Sequence, residues 1–276
     1  MSTTDRPPPA LPVARSGVGP CGRTSLPRVE AIDGWRVQHL DEVDSTNDVA
    51  AACDVWEAVR ADRQRAGRGR HQRSWQSGAG GLWISAVVPI GALDRGWSAL
   101  PLAAGLAVCE TLEDHGVKGL RLRWPNDVLT GRRKLAGLLV DRFREDRAVI
   151  GVGINVANQP EAENPELAGT TVRLADLLTP APPVEAVARR LLAGLRGVVE
   201  GMHREGFPAL VPRINRWWDA GSALVVESDA GRTEGTFLGV DGEGRLRVRA
   251  PDGTVREWAA HEVRQVRDIE NQEGHS

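Results

Sequence analysis

The sequence has no tyrosine and only three phenylalanines, although it contains nine tryptophans. Tyrosine supplies many of the contacts in ordinary binding sites, so we expect tryptophan and arginine to supply them here. Cysteine is also scarce: Cys21, Cys53 and Cys109 are odd in number and far apart. This spacing excludes a cysteine metal site and favours a reducing cytoplasm.

Long apolar segments are missing as well. No apolar run approaches the ~18 residues of a membrane span, and the N-terminus lacks the hydrophobic region of a signal peptide. We therefore expect no membrane association. The formal net charge of −2 excludes a general nucleic-acid binder. The 276 residues, 41% hydrophobic and 26% charged, suffice for one large or two ordinary globular domains.

Residues 1–28 are rich in proline and glycine, which predicts a disordered leader. This segment holds no pair of amphipathic helices that could form a helix-turn-helix, so we expect no specific DNA binding.

Hydrophobic periodicity predicts a mixed domain over residues 29–220. Asp44, Ser45 or Thr46 could cap a short helix, and Ser98 could cap a longer one that Gly116 ends. The predicted strands cover residues 35–40, 56–61, 82–88, 120–124, 134–140 and 148–156, and the predicted helices cover residues 50–52, 98–116, 184–202 and 209–218.

The pattern changes after Ala220, where we place a domain boundary. Short alternating strands at residues 223–227, 234–240, 245–249 and 254–258 are separated by turns that contain Asp and Gly. Such turns are strong hairpin signals. Residues 221–270 are therefore predicted to form a small all-β domain, followed by a tail at residues 271–276.

One stretch between two predicted strands, residues 65–75, is called here the arginine loop. It holds four arginines and two glycines within nine positions and ends at Trp75. Glycines and exposed N–H groups can form a concave anion site, and arginine adds a charged fork that binds phosphate or carboxylate. The loop predicts a site for a small anion; the alternative is a basic surface loop or a nucleic-acid patch.

Three further stretches carry polar residues or glycines beside strands. Asn126 and Asp127 follow a strand that ends at Pro125, where they could bind a ligand or Mg²⁺ or simply form a turn. Lys134 begins an apolar strand, a position where lysine is usually solvated. The glycines in residues 151–156 indicate close approach of a ligand or backbone; no helix follows them, so they are not a dinucleotide motif.

Together these stretches resemble the biotin–protein ligases. The matching residues, in order, are Ser45-Thr46-Asn47, Gln64 with residues 67–75, Trp124-Pro125-Asn126-Asp127, Lys134-Leu135-Ala136-Gly137 and residues 151–155. The resemblance covers about residues 30 to 270. It implies an α+β fold: a mixed sheet flanked by helices, similar to the class II aminoacyl-tRNA synthetase core, followed by an SH3-like β-barrel.

The resemblance also implies a reaction. Biotin and Mg·ATP give biotinyl-5′-AMP and pyrophosphate, and a lysine of a biotin carboxyl carrier domain then attacks the mixed anhydride and releases AMP. Biotin and ATP are therefore the implied substrates, with Mg²⁺ as the implied metal and the carrier domain as the implied partner.

Each motif residue receives a role from the resemblance. Those implied for biotin are Ser45, Thr46, Asn47, Gln64, Arg68, Gly69, Arg70, Lys134 and Gly137. Those implied for ATP are Arg68, Arg70, Arg73, Trp75, Asn126 and Asn155. Lys134, Arg70 and Asp127 are the implied catalytic residues, and Asp127 is also the implied ligand of Mg²⁺.

Two positions depart from the family pattern. The family usually has another glycine two residues after Arg70, where this chain has Gln72. If φ must be positive there, glutamine is strained by roughly 1 kcal/mol. The family's lysine before the Trp-Pro-Asn-Asp stretch is replaced by Arg123, which keeps the charge and changes the hydrogen-bond geometry.

Two rival functions are consistent with parts of the pattern. A lipoate– or octanoate–protein ligase would share the core fold, although the arginine loop together with the Trp-Pro-Asn-Asp stretch argues against it. A non-enzymatic module that binds nucleic acid through the arginine loop would belong to another functional class.

Overall fold

The computed structural model describes residues 27–91, 93–218 and 221–269. Most of the predicted leader, the predicted boundary at Ala220 and the predicted tail therefore lie outside the described residues. Arg28, placed at the end of the leader, instead begins the first strand.

The larger sheet has eight strands in the order β1-β2-β3-β4-β8-β7-β6-β5. Only β2 and β3 pair in parallel, so the predicted mixed sheet is confirmed. The strands are β1 (Arg28–Ile32), β2 (Trp35–Val43), β3 (Glu57–Gln64), β4 (Leu82–Pro89), β5 (Leu120–Arg123), β6 (Asp127–Thr130), β7 (Arg133–Asp141) and β8 (Arg147–Ile154).

Six α-helices accompany this sheet in the described ranges. They are α1 (Thr46–Ala50), α2 (Leu100–Asp114), α3 (Pro160–Glu163), α4 (Leu174–Leu177), α5 (Val184–Glu205) and α6 (Val211–Asn215). The predicted cap at Ser98 is wrong, because Ser98 lies inside a 3-10 turn and Ala99 precedes α2. The helix predicted over residues 209–218 is shorter, because a 3-10 turn at Phe207–Leu210 precedes α6.

The two faces of the sheet have different partners. Strand residues such as Ala58, Ala86 and Ile150 belong to the main core with the packed pair α2 and α5, and Cys109 is buried there as predicted. Their neighbours along the strands point the opposite way, and Val59, Val87 and Val149 pack under α1. Because successive strand residues point to opposite faces, one face of the sheet packs against α2 and α5, and the other is covered only in part, by α1. The candidate site lies on this second face.

The C-terminal sheet has five antiparallel strands in the order β12-β11-β10-β9-β13. All four predicted strands are present. The strands are β9 (Ala223–Ser228), β10 (Gly231–Val240), β11 (Leu246–Arg249), β12 (Val255–Trp258) and β13 (Val263–Asp268). Strand β13 was not predicted, because a register shift after Val263 places its buried valines three residues apart and hides the alternation.

Hydrogen bonds hold the C-terminal sheet against the larger one. The Trp124 indole donates to the Gly244 carbonyl at 3.0 Å. Arg121 pairs with Asp268 at 2.6 Å, and both side chains are about four-fifths buried. The two sheets therefore enclose a fixed space between them. Among the described helices, none is both long and apolar enough to cross a bilayer.

Candidate active site

A cavity of about 590 Å³ opens on the face of the sheet that α1 covers, and residues of β13 close one side of it. A volume of this size is typical of sites for small organic ligands. Every residue that the sequence assigned to a site lines the cavity: Ser45, Thr46, Asn47, Gln64, Arg68, Gly69, Arg70, Arg73, Trp75, Asn126, Asp127, Lys134, Gly137 and Asn155. Segments far apart in the chain therefore meet at one place.

Glycines in β7 and β8 leave room for side chains at the base of the cavity. Gly137 and Gly153 face each other across β7 and β8, and a side chain at Gly153 would overlap the ring of Trp75. A side chain at Gly151 would overlap the amide of Asn47. The sequence predicted that a ligand or another backbone approaches the glycines of β8, whereas at Gly151 and Gly153 the approaching groups are side chains of the site.

A β-bulge turns Lys134 into the cavity. Leu129 of β6 pairs with Lys134 and Val128 pairs with Ala136, which leaves Leu135 as an extra residue in β7. The bulge places Lys134 on the same face as Gly137, three positions later. The Lys134 ammonium lies 4.8 Å from the Trp75 ring centroid. Lys134 therefore lines the cavity, and about a quarter of its side-chain surface is exposed.

Asp127 is neutralised by two cations. Its Oδ1 lies 2.7 Å from the Lys134 ammonium and its Oδ2 lies 3.0 Å from the Arg123 guanidinium. Burial raises the pKa of Asp127, but Lys134 and Arg123 outweigh burial and leave the pKa below its ordinary value. Asp127 is thus ionised and orients Lys134.

This arrangement does not suit the implied role of Asp127 as a ligand of Mg²⁺. Both of its oxygens already accept from cationic side chains. The described residues also contain no group of three or more His, Cys, Asp or Glu side chains that could hold a metal ion. The chemistry of the donor set therefore points to ion pairing at Asp127.

The two central arginines of the loop are bonded to protein groups. Arg68 forms a two-pronged ion pair with Asp48 of α1, at 2.8 and 2.5 Å. Arg70 reaches the segment that leads into β13 of the C-terminal sheet, where its Nη2 donates to the carbonyls of Ala260 and Val263 at 2.6 and 3.2 Å. Burial lowers the pKa of Arg70, with Arg73 adding to the effect and Asp127 opposing it. Arg70 therefore joins the loop to the second sheet.

The backbone of the loop passes through the left-handed region. His71 has φ +55° and Gln72 has φ +58°. Gln72 therefore has the positive φ that a family glycine at this position would allow, and glutamine occupies a conformation that glycine adopts without strain. Gln72 costs roughly 1 kcal/mol at this position.

The end of the cavity beneath α1 is polar and nearly closed to solvent. Ser45, Thr46 and Asn47 are each 4% exposed. Gln64 accepts from the Thr46 backbone N–H at 2.8 Å and donates to the Ser77 hydroxyl at 2.8 Å. Ser45 occupies the position before α1 but makes no side-chain capping bond. These polar groups therefore line the cavity and are largely shielded from bulk water.

Two asparagines complete the opposite end. The Asn126 side chain donates to the Leu138 carbonyl at 2.8 Å, which fixes the turn between β5 and β6. Asn155 is 2% exposed and accepts a hydrogen bond from Asn158 at 3.0 Å. Both asparagines are held rigidly where they line the cavity.

Several residues that shape the site were not predicted. They include Asp48 beside Arg68, Ser77 beside Gln64, Ser85 beneath Thr46, Asp141 beside Asn47 and Asn158 beside Asn155. Asp48, Ser85 and Asp141 lie within helices or strands, and Ser77 and Asn158 lie in polar loops, where single polar residues are common. The one signal in the sequence was the lone hydroxyl of Ser85 inside an apolar strand, and the structure buries it fully.

Comparison with known proteins gives a consistent result. Residues 46–155 match the model of the biotin/lipoate A/B protein ligase family. The chain is 34% identical to a biotin–[acetyl-CoA-carboxylase] ligase of Mycobacterium tuberculosis, over 82% of this chain and 88% of that protein. It is 31% identical to the bifunctional ligase/repressor BirA of Escherichia coli, over 84% of this chain and 74% of that protein.

A solved structure has a similar fold. The biotin protein ligase from Aquifex aeolicus in complex with biotin and ATP superposes with a TM-score of 0.76 at 26% identity. The match covers 84% of this chain and 99% of the Aquifex chain.

Proposed function

The chain belongs to the biotin–protein ligase family, and from this premise we propose how its cavity carries out the family's reaction. The protein is an ATP-dependent biotin ligase. The biotin carboxylate attacks the α-phosphate of ATP, which yields biotinyl-5′-AMP and releases pyrophosphate. A lysine amine of the acceptor then attacks the acyl carbon, an amide bond forms, and AMP leaves.

The observation that carries this proposal is the convergence of the separated motifs on one cavity. A polar, nearly dry end beneath α1 suits a ring that both donates and accepts hydrogen bonds. A cationic middle, formed by Arg70 and Lys134, suits a carboxylate that becomes an acyl phosphate. The polar end and the cationic middle of the cavity therefore match the ureido ring and the carboxylate of biotin.

We assign the chemical roles on this geometry. Lys134, turned inward by the bulge and oriented by Asp127, stabilises negative charge on the reacting carboxylate and phosphate. Arg70 binds the same anion and ties the loop over it. Arg73, Trp75, Asn126 and Asn155 form the nucleotide side. The guanidinium of Arg68 pairs with Asp48 and so positions the loop, and the backbone next to Arg68 forms part of the site.

The wider biological setting is also proposed. The acceptor is a biotin carboxyl carrier domain, as the name of the M. tuberculosis relative suggests. The free thiols of Cys53 and Cys109 suit the reducing cytoplasm. We further infer that the larger domain is related to the class II synthetase core and that the five antiparallel strands form an SH3-like barrel. The separate domains, the disordered leader and the absence of specific DNA binding remain predictions.

A direct comparison of biotin with lipoate tests the substrate class. The dithiolane ring of lipoate has no N–H group, so it would leave the buried oxygens beneath α1 unpaired. Sites built for a hydrogen bond reject analogues that lack it by on the order of 10⁴-fold. We expect labelled biotin, and not labelled lipoate, to be transferred to a carrier domain. Preferential lipoate transfer would reassign the enzyme, and salt-sensitive binding of random DNA without any transfer would support the nucleic-acid module.

Substitution of Gly151 should impair biotin binding. An added Cβ overlaps the Asn47 amide, which is clamped by Ser85 and Asp141 and cannot move aside freely. We expect Gly151→Ala to weaken biotin binding by about tenfold or more, since at least one hydrogen bond of this clamp must break. Gly197→Ala, at a helical glycine with open space around its Cβ, is the control. Biotin affinity is measured by calorimetry. Equal affinity in both variants would contradict the placement of Gly151 and Asn47 at the biotin site.

A further inference from the structure

A chain of hydrogen bonds runs beneath the polar end of the cavity and links four elements. Asn47 Nδ2 donates to Asp141 Oδ2 at 2.8 Å. Ser85 Oγ lies 2.6 Å from Asn47 Oδ1 and 2.7 Å from Thr46 Oγ1. Thr46 Oγ1 lies 3.0 Å from Gln64 Oε1. Ser85 is fully buried and does not itself line the cavity.

The orientation of both amides in this chain is fixed by partners with only one possible role. A carboxylate only accepts, so Asn47 must turn its NH₂ group to Asp141 and its oxygen to Ser85. A backbone N–H only donates, so Gln64 must turn its oxygen to Thr46. Neither amide can flip without placing two donors or two acceptors together.

The protons of the two hydroxyl groups can then be placed. Asn47 Oδ1 can only accept, so the hydroxyl of Ser85 donates its single hydrogen to Asn47 Oδ1. With the Ser85 proton used, the 2.7 Å contact between Ser85 Oγ and Thr46 Oγ1 takes the hydroxyl proton of Thr46, because it is shorter than the 3.0 Å contact between Thr46 Oγ1 and Gln64 Oε1. Thr46 Oγ1 and Gln64 Oε1 therefore face each other with no proton between them. Three oxygen–oxygen contacts share two protons, and the Thr46 hydroxyl can only accept from the cavity.

We propose that Ser85, Asn47 and Asp141 are positioning residues that make Thr46 an obligatory hydrogen-bond acceptor, and that this selects a ligand with an N–H donor. The inference rests on the proposed function, in which the donor is a ureido N–H of biotin. The carboxylate at the far end polarises every bond of the chain toward itself. A ring without an N–H group leaves the Thr46 and Gln64 oxygens buried and unpaired, which opposes its binding.

Removal of the Ser85 hydroxyl tests the direction of the chain. In Ser85→Ala, the Thr46 hydroxyl loses its acceptor at residue 85 and can donate to Gln64 instead. Thr46 Oγ1 then no longer requires a donor from the ligand. We expect the Kd for biotin, measured by calorimetry, to rise about tenfold while the KM for ATP stays unchanged. Desthiobiotin keeps the ureido group but lacks the ring sulfur, so its Kd should rise by the same factor. A loss confined to biotin would overturn the proposal.

A double-mutant cycle separates positioning from general stability. Thr46→Val removes the acceptor, and once it is gone Ser85 has nothing left to orient. We expect Ser85→Ala to add less than a twofold loss of biotin affinity in the Thr46→Val background. If the two losses multiply, Ser85 acts independently of Thr46 and the proposal fails.

Asp141→Asn provides the same test at the partly exposed end, where folding is less at risk. Asparagine can donate as well as accept, so the chain can reverse and Thr46 is no longer forced to accept. We expect a three- to tenfold rise in the Kd for biotin, with no change in Asp146→Asn, an acidic control in the β7–β8 turn. Wild-type affinity in Asp141→Asn would overturn the inference. Absence of biotin binding by the wild type would instead overturn the proposed function, so the two failures are distinguishable.

Discussion

Lys134→Ala should lower the rate of biotin-dependent adenylation by about 10²–10³-fold. Lys134 is aimed at the cavity by the bulge in β7 and held there by Asp127 at 2.7 Å. A fixed charge directed at developing negative charge in a partly dry site is typically worth this factor. Adenylation is measured in the steady state with saturating biotin and ATP.

The matched control is Lys118→Ala, which removes the only other lysine of the chain, an exposed residue before β5. It should keep the wild-type rate. Arg123 remains to compensate Asp127 in the Lys134 variant, so the fold should persist and thermal unfolding can verify it. A folded Lys134→Ala protein with near-normal adenylation would show that this lysine serves only as an ion-pair partner.

Arg70→Gly should release biotinyl-5′-AMP about 10 to 100 times faster than the wild type while still forming it. The guanidinium ties the loop to the carbonyls of Ala260 and Val263 and forms part of the cationic middle of the cavity. Its loss removes charge-assisted bonds worth about 1.5–3 kcal/mol and gives the loop additional backbone freedom. Lys134 remains, so retention of the intermediate should suffer more than its formation.

The assay follows dissociation of preformed biotinyl-5′-AMP and the labelling of a bystander protein rich in lysine, such as albumin. Arg65→Gly is the control, because Arg65 is exposed, pairs with Asp44 and does not line the cavity. Only the Arg70 variant should label the bystander. Wild-type dissociation with intact adenylation would mean that the arginine loop does not retain the intermediate.

The fold was predictable wherever local pattern and burial agree. The apolar runs of β4 and β8, the Asp-Gly turns in the C-terminal sheet and the apolar stripe of α5 each follow from residues close together in sequence. Strands β1 and β6 were missed for local reasons. The first four residues of β1 are exposed at the sheet edge, and β6 begins directly after a turn that resembled the end of a strand.

The site was predictable as a set of residues but not as a set of contacts. The arginine loop and the strand glycines identified the cavity because their chemistry is unusual in ordinary loops and strands. The pairing of Arg68 with Asp48, and of Arg70 with the Ala260 carbonyl, depends on tertiary placement that no local pattern encodes. The bulge at Leu135 depends on the register with β6, so the inward direction of Lys134 was equally hidden.

Biotin-dependent exchange of pyrophosphate into ATP tests the central claim most directly. The exchange requires biotin, ATP and reversible formation of biotinyl-5′-AMP in one site, and it needs no acceptor protein. We expect rapid exchange by the wild type that depends on added biotin, is not supported by lipoate, and falls sharply in Lys134→Ala. Exchange that is absent, or that proceeds equally well without biotin, would contradict that claim.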